Sequence, residues 1–101
     1  MLTGKQKVFL RGLANGIKPV MQIGKGGLNE ELIIAVLQYL NKHELMKVSI
    51  LQNSDTTLDE LDAAFSSIDV EVVQKIGKTI VLYKHSDNVD DPIKLPVKKE
   101  K

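Results

Sequence analysis

Ile23-Gly24-Lys25-Gly26-Gly27-Leu28-Asn29 sets three glycines around one lysine, between a short apolar run and a long amphipathic stretch. Without a Cβ, glycine reaches positive φ at no steric cost, so this segment can turn tightly and leave its N–H groups uncovered. A helix starting behind it would add unpaired N–H donors and the positive end of a dipole. With the Lys25 ammonium, that chemistry suits an anion, either the phosphate backbone of RNA or a small phosphorylated ligand. A plain strand-to-helix turn would use the same glycines with no ligand at all. Glu30 and Glu31 follow at once and would repel a phosphate at the helix end. The expected phosphate position is therefore over the loop and Lys25.

Other chemistry finds little support. Gly77-Lys78-Thr79 has the ending of a nucleotide-binding P-loop, but that pattern needs glycine where Val72 stands and must lead into a helix. The dinucleotide fingerprint started by Gly24 and Gly26 would need glycine where Asn29 stands. There is no cysteine, so disulfides, thiol catalysis and cysteine metal sites are excluded together. His43 falls where a helix should end and His85 beyond the last apolar run, with no metal-ligand spacing between them. Ser49, Ser54, Ser66 and Ser67 have no elbow motif or evident base partner. The expectation is a protein without catalytic residues, metal or cofactor.

The net charge of +1 conceals a segregation. Lys5, Lys7, Arg11, Lys18 and Lys25 precede Asn29 with no acid among them. From 51 to 73 the charges are Asp55, Asp59, Glu60, Asp62, Asp69 and Glu71, with no base, and Lys75, Lys78 and Lys84 come next. Such asymmetry can give one small fold a basic face and an acidic face, although solvated faces produce charge runs too. Lys7 and Arg11, four apart, would be neighbours on a helix, a like-charge cost that a phosphate would offset.

At 101 residues there is room for one domain, burying roughly 60 to 65% of its unfolded surface. Its 43% hydrophobic and 27% charged residues are those of an ordinary globular protein. No apolar run approaches the roughly 20 residues of a membrane span, and the first residues lack a signal-peptide core. A soluble, untargeted, cytoplasmic protein is expected.

Thr3-Gly4-Lys5-Gln6 matches a capping box, opening a helix through Val8, Phe9, Leu10 and Leu13 to Asn15-Gly16, with Phe9 and Leu10 sharing a face with Leu13. Pro19 marks a connector, and 20–23 a short strand. Asn29 caps a second helix whose Leu32, Ile33, Val36, Leu37 and Leu40 form a broad stripe ending near Lys42-His43. A strand over 45–51 completes a right-handed βαβ unit. Thr57-Leu58-Asp59-Glu60 is a second capping box, and Leu58, Leu61, Ala64, Phe65 and Ile68 make one face of a third helix whose other face is acidic. Runs over 70–76 and 79–83 joined by Gly77-Lys78 read as a tight hairpin. The fold class is α/β, in α-β-α-β-α-β-β order, a four-stranded mixed sheet with three helices. Residues 1–84 form the domain and 85–101 a mobile charged tail, with Ile93 and Leu95 candidates for docking.

Several of these stretches together resemble the YhbY-like proteins, whose domain is called CRM, for chloroplast splicing and ribosome maturation. The resemblance is carried by Leu2-Thr3-Gly4-Lys5-Gln6, Arg11-Gly12-Leu13-Ala14, Lys18-Pro19-Val20, the glycine loop from Ile23 to Leu28, and His43-Glu44-Leu45-Met46-Lys47-Val48. The hairpin from Gln74 to Tyr83 and Ile93-Lys94-Leu95-Pro96 add to it. Asn29 stands where many relatives are expected to carry Thr, and both are competent caps.

The resemblance implies an RNA-binding domain similar in fold to the C-terminal domain of translation initiation factor three. Its bacterial stand-alone form is associated with large-subunit ribosomal precursors, a role that fits one domain without a transit peptide. The implied RNA-binding residues are Gly24, Lys25, Gly26 and Gly27 in the loop and Lys5, Lys7, Arg11 and Lys18 on a basic surface. Lys75 and Lys78 would border that surface from the hairpin. With aromatics scarce, little base specificity is expected. Two rival readings stay open: a protein-interaction module on the ribosome using the acidic helix and tail, and an enzyme for a small phosphorylated ligand. No oligomeric state follows from the sequence, a monomer being the default.

Overall fold

Thr3 opens the first helix by exchanging hydrogen bonds with Gln6, whose N–H donates to Thr3 Oγ1 at 3.1 Å while its Oε1 accepts from the Thr3 N–H at 2.9 Å. The computed structural model describes residues 2–89 and 92–96. Helix α1 spans Gly4–Ala14. It buries Leu10 and Ala14 completely, while Phe9 and Leu13 remain 39% and 41% exposed. The inward stripe is thus the Leu10/Ala14 pair, not one centred on Leu13: at i, i+4 the small Ala14 lets the helix come close to the sheet.

Strand β1 (Met21–Ile23), helix α2 (Glu30–His43) and strand β2 (Leu45–Ile50) form the βαβ unit. Asn29 caps α2 by accepting from the Leu32 N–H at 2.8 Å. Helix α3 (Leu58–Ser66) starts at a capping box of Thr57 and Glu60 and ends two residues short of Ile68. Strands β3 (Glu71–Ile76) and β4 (Thr79–Tyr83) make the hairpin, with Gly77 at φ +57° in the turn. The sheet order is β1-β2-β4-β3, with β1 parallel to β2 and the other pairs antiparallel.

Strand alternation sorts the core into two layers. Met46, Val48 and Ile50 of β2 and Ile80 and Leu82 of β4 face α2 and α3, joining Val36, Leu40, Leu61 and Phe65. Leu45, Val81 and Tyr83 face the other way, against Leu10 and Ala14 of α1. The register breaks between Val72 and Gln74: Val72 pairs with Leu82 and Gln74 with Val81, leaving Val73 as a bulge.

One end of the sheet is closed by a buried carboxylate. Glu44 joins α2 directly to β2 in a left-handed conformation, φ 66°, and is fully buried. Its Oε2 accepts from the Ser86 N–H and its Oε1 from the Ile93 N–H, each at 2.8 Å, and His85 Nδ1 lies 3.2 Å from Oε2. Burial, and secondarily the Glu44 charge, push the Tyr83 phenol above its usual range. Ser86 Oγ donates to the Asn41 carbonyl at 2.6 Å, Gln6 Nε2 to the Pro96 carbonyl at 3.1 Å, and Ile93 and Leu95 pack on the α1-side core. The segment expected as a mobile tail is therefore docked over 85–89 and 92–96, because Glu44 needs its N–H groups; 97–101 lie outside the described residues.

Glu44→Ala strips two backbone donors of their acceptor and should lower the unfolding free energy in urea by about 2–4 kcal/mol. Glu44→Gly should recover only about 1 kcal/mol of that by relieving the left-handed backbone.

Candidate nucleic-acid interface

The glycine loop closes as a turn in which the Gly27 N–H donates to the Gly24 carbonyl at 3.0 Å. Gly27 holds φ +68°, and a Cβ there would stand 3.2 Å from Thr56 Oγ1. Gly26 has no such requirement, since a Cβ would meet nothing within 4 Å. Lys25 is exposed between them. The fold itself therefore demands Gly27, whereas the bare backbone at Gly26 is left open to solvent.

Two hydrogen bonds fix what lies beside the loop. The Leu51 N–H donates to the Ile23 carbonyl at 2.9 Å, and the Ile50 N–H to the Lys78 carbonyl at 2.8 Å. The end of β1, the end of β2 and the hairpin turn thus converge, bringing exposed Lys78 to the loop's end of the sheet.

On the α1 side, that end of the sheet is uncovered. Directly paired residues share a face, so Gln22, Ser49, Thr79 and Ile76 form a row across all four strands, and Lys47, Val81 and Gln74 the row behind it. Gln22 and Ile76 are exposed, Ile76 at 57%. The sequence singles out none of Lys47, Gln22 and Gln74 as site residues, and offers Ser49 only as a nucleophile without a base partner. For the β2 pair a signal existed, since Lys47 and Ser49 alternate with the apolar Met46, Val48 and Ile50.

The basic residues of α1 are spread along its length. Its N-terminal half lies at the closed end, where Gln6 shares a hollow with Glu71 and Tyr83, and Asn15 reaches the Lys47 row. Lys5 therefore stands about 15 Å back from Asn15 at the helical rise. The Lys7 charge acts on Asp62 of α3. Arg11, one turn before the helix end, is half-buried, with its Nε covered and without a hydrogen-bond partner. Exposed Lys18 adjoins Pro19 at the edge of the open rows. The structure thus gathers Lys18, Lys25 and Lys78 with Lys47 and leaves Lys5 and Lys7 towards the far end.

Lys75 is directed elsewhere. It pairs with Ile80 on the α3 side of the sheet, and its Nζ lies 2.9 Å from Asp62 Oδ2 and 3.3 Å from Asp59 Oδ1. Those bonds, Asp62 first, raise the Lys75 ammonium above its usual range, and the Lys75 hydrogen bond holds the Asp62 carboxyl below its own. The expected place on the basic border is therefore lost: the Val73 bulge turns Lys75 through the sheet.

A family model for the CRS1 / YhbY (CRM) domain matches residues 2–84. The chain belongs to that family. It is 44% identical over 97 residues to the Bacillus subtilis "Probable RNA-binding protein YqeI", covering 95% of this chain and 100% of that one. It is 37% identical over 98 residues to an "RNA-binding protein" of Haemophilus influenzae, covering 96% and 97% of the two chains. A Staphylococcus aureus protein solved in solution shares the fold with a TM-score of 0.77 and 46% identity, over 95% of this chain and 100% of that one. The CRM match spans everything from the α1 capping box to β4, so the glycine loop, the open rows and the hairpin all lie inside it.

Gly27→Ala should cost about 1–2 kcal/mol in thermal or urea unfolding, whereas Gly26→Ala should stay within about 0.5 kcal/mol of the parent. Asp62, with its pKa depressed below 3.8, contributes stability above that pH that is lost as pH falls through its folded value. Asp62→Asn should remove that component, so its denaturation midpoint should fall less than the parent's between about pH 5 and pH 3. Solvent screening of this half-exposed pair keeps the difference small.

Proposed function

We propose that this CRM protein is a non-enzymatic, cytoplasmic RNA-binding protein that associates with large-subunit precursor ribosomal RNA and assists its assembly. One observation carries the reading: the end of β1 that leads into the glycine loop, the end of β2 and the Lys78 turn converge at one end of the sheet, beside the open Lys47 row. The names of the relatives support RNA as the partner. Backbone N–H groups of the loop and the Lys25 ammonium hold phosphates, and Lys18, Lys47 and Lys78 extend the track across the sheet. Arg11 borders it from α1, while Lys5 and Lys7 act only on RNA long enough to reach the far end. Helix acids keep phosphates off the α2 axis, so the strand lies over the loop rather than against the helix end.

Salt titration of binding to a structured large-subunit RNA fragment tests this. Affinity should fall steeply with salt, and Lys25→Ala and Lys78→Ala should each reduce the log–log slope by roughly 0.7 to 0.9. Lys5→Ala should change it less on a short fragment. If Lys25→Ala and Lys78→Ala leave affinity and slope unchanged while Asp59→Ala and Asp62→Ala abolish ribosome association, a protein-interaction module through α3 replaces the RNA reading.

A further inference from the structure

The open rows are not flat. Between the end of α1 and the hairpin they sink into a hollow of about 170 Å3, rimmed by the side chains of Asn15, Lys47, Gln74 and Thr79 and walled by Pro19 and Ile76. Its floor is the buried Val81. The polar side-chain groups of Asn15, Lys47, Gln74 and Thr79 have no hydrogen-bond or ion-pair partner among the described residues. Gln74 is there because of the bulge; in an unbroken register it would stand opposite Ile80 on the α3 side.

We infer that this hollow seats one unstacked nucleobase of the bound RNA, so that the interface selects among bases at that position. The inference rests on the RNA reading above. Two neutral amides and a hydroxyl at the rim offer donors and acceptors together, the complement of a base edge; a phosphate would be better served by further cations or free N–H groups. Apolar walls from Pro19 and from Ile76, at 57% exposure, suit the faces of a ring. No acid lines the hollow. Exposed Lys18 and Lys78 adjoin Pro19 and Thr79 in sequence, one on each side, where the phosphates flanking a splayed base would run. The scarcity of aromatics removes stacking platforms, but edge recognition between aliphatic walls needs none.

The test is binding of the full chain to four homopolymeric single-stranded RNA oligonucleotides at one salt concentration. The parent should separate the four by about tenfold, the size of one good edge contact. Gln74→Ala and Asn15→Ala should compress that spread to about twofold without altering the salt slope, because neither side chain is charged. The isosteric Gln74→Glu should reorder the four. Lys25→Ala should weaken all four alike. Equal parental affinity for the four oligonucleotides, or a spread that survives Gln74→Ala, overturns the base pocket while leaving the RNA reading intact. Absence of salt-dependent binding to any RNA overturns both. Photocrosslinking of 4-thiouridine RNA to the unmutated protein needs no variant to fold: adducts should fall at 15–19, at Lys47 or within 74–81, and adducts confined to other segments overturn the pocket.

Discussion

Val73 has no partner on β4, and that one unpaired residue decides what the rest of β3 can do. Before it, Val72 faces the α2/α3 core; Val73 itself turns to the α1 core, and Gln74 keeps the same side. Every residue beyond is displaced by one step of a period-two pattern, so each exchanges one face of the sheet for the other. Lys75 thereby moves to the acids of α3, where Asp62 and Asp59 take its charge. Gln74 moves to the open side. An unbroken strand would have set a lysine in line with Thr79 above the open rows and a neutral amide among the α3 acids. The bulge instead ties α3 to the sheet edge and gives the open face a group that can donate and accept.

A second constraint works at the opposite end of the sheet. Connecting α2 to β2 through the single residue Glu44 requires a left-handed backbone and buries a carboxylate, which would be costly with no donors around it. The donors come from Ser86 and Ile93, so the chain after β4 is recruited to cover the Glu44 end of the sheet. Ile93 and Leu95 then extend the α1-side core past the edge of the helix itself. With that end occupied by side chains and the C-terminal segment, the uncovered backbone and polar rows lie at the glycine-loop end. Closure at one end and openness at the other come from the same short connection.

The seven elements were legible because each carries its own local signal. Two capping boxes, an Asn cap, a Gly-Lys turn and clean apolar periodicities act within a few residues, and the structure forms all of them. What sequence could not supply was the face on which a residue ends up when that depends on a partner strand. Nothing in Glu71-Val72-Val73-Gln74-Lys75 announces a bulge, since two adjacent valines suit either register. Phe9 and Leu13 match the inward periodicity of α1 as well as Leu10 and Ala14 do, and the choice between them is made by how closely the helix can approach β2 and β3. Nothing beside Glu44 in the sequence marks it for burial; its acceptor role is met by donors more than forty positions away. The glycine loop and the Lys78 turn beside it were legible as features, but Lys47 was not, because it reaches that end only through strand pairing.

This arrangement makes the net charge a poor guide to the protein's field. Lys47 lies on the α1 side of the sheet with Lys78 at the turn, whereas Asp59 and Asp62 lie on the α3 side, where Lys75 bonds both. A strand lying on the α1 side near the hairpin turn therefore meets Lys18, Lys47 and Lys78 before the acids of α3. Lys75 further blunts those acids by pairing with two of them. Cations gathered at the open rows and acids tied to Lys75 on the α3 side give a near-neutral chain one orientation that favours a polyanion. Charge can fix that orientation but cannot tell one base from another, so any discrimination must come from the neutral groups of the open rows, Gln74 among them, which the bulge sets on that side.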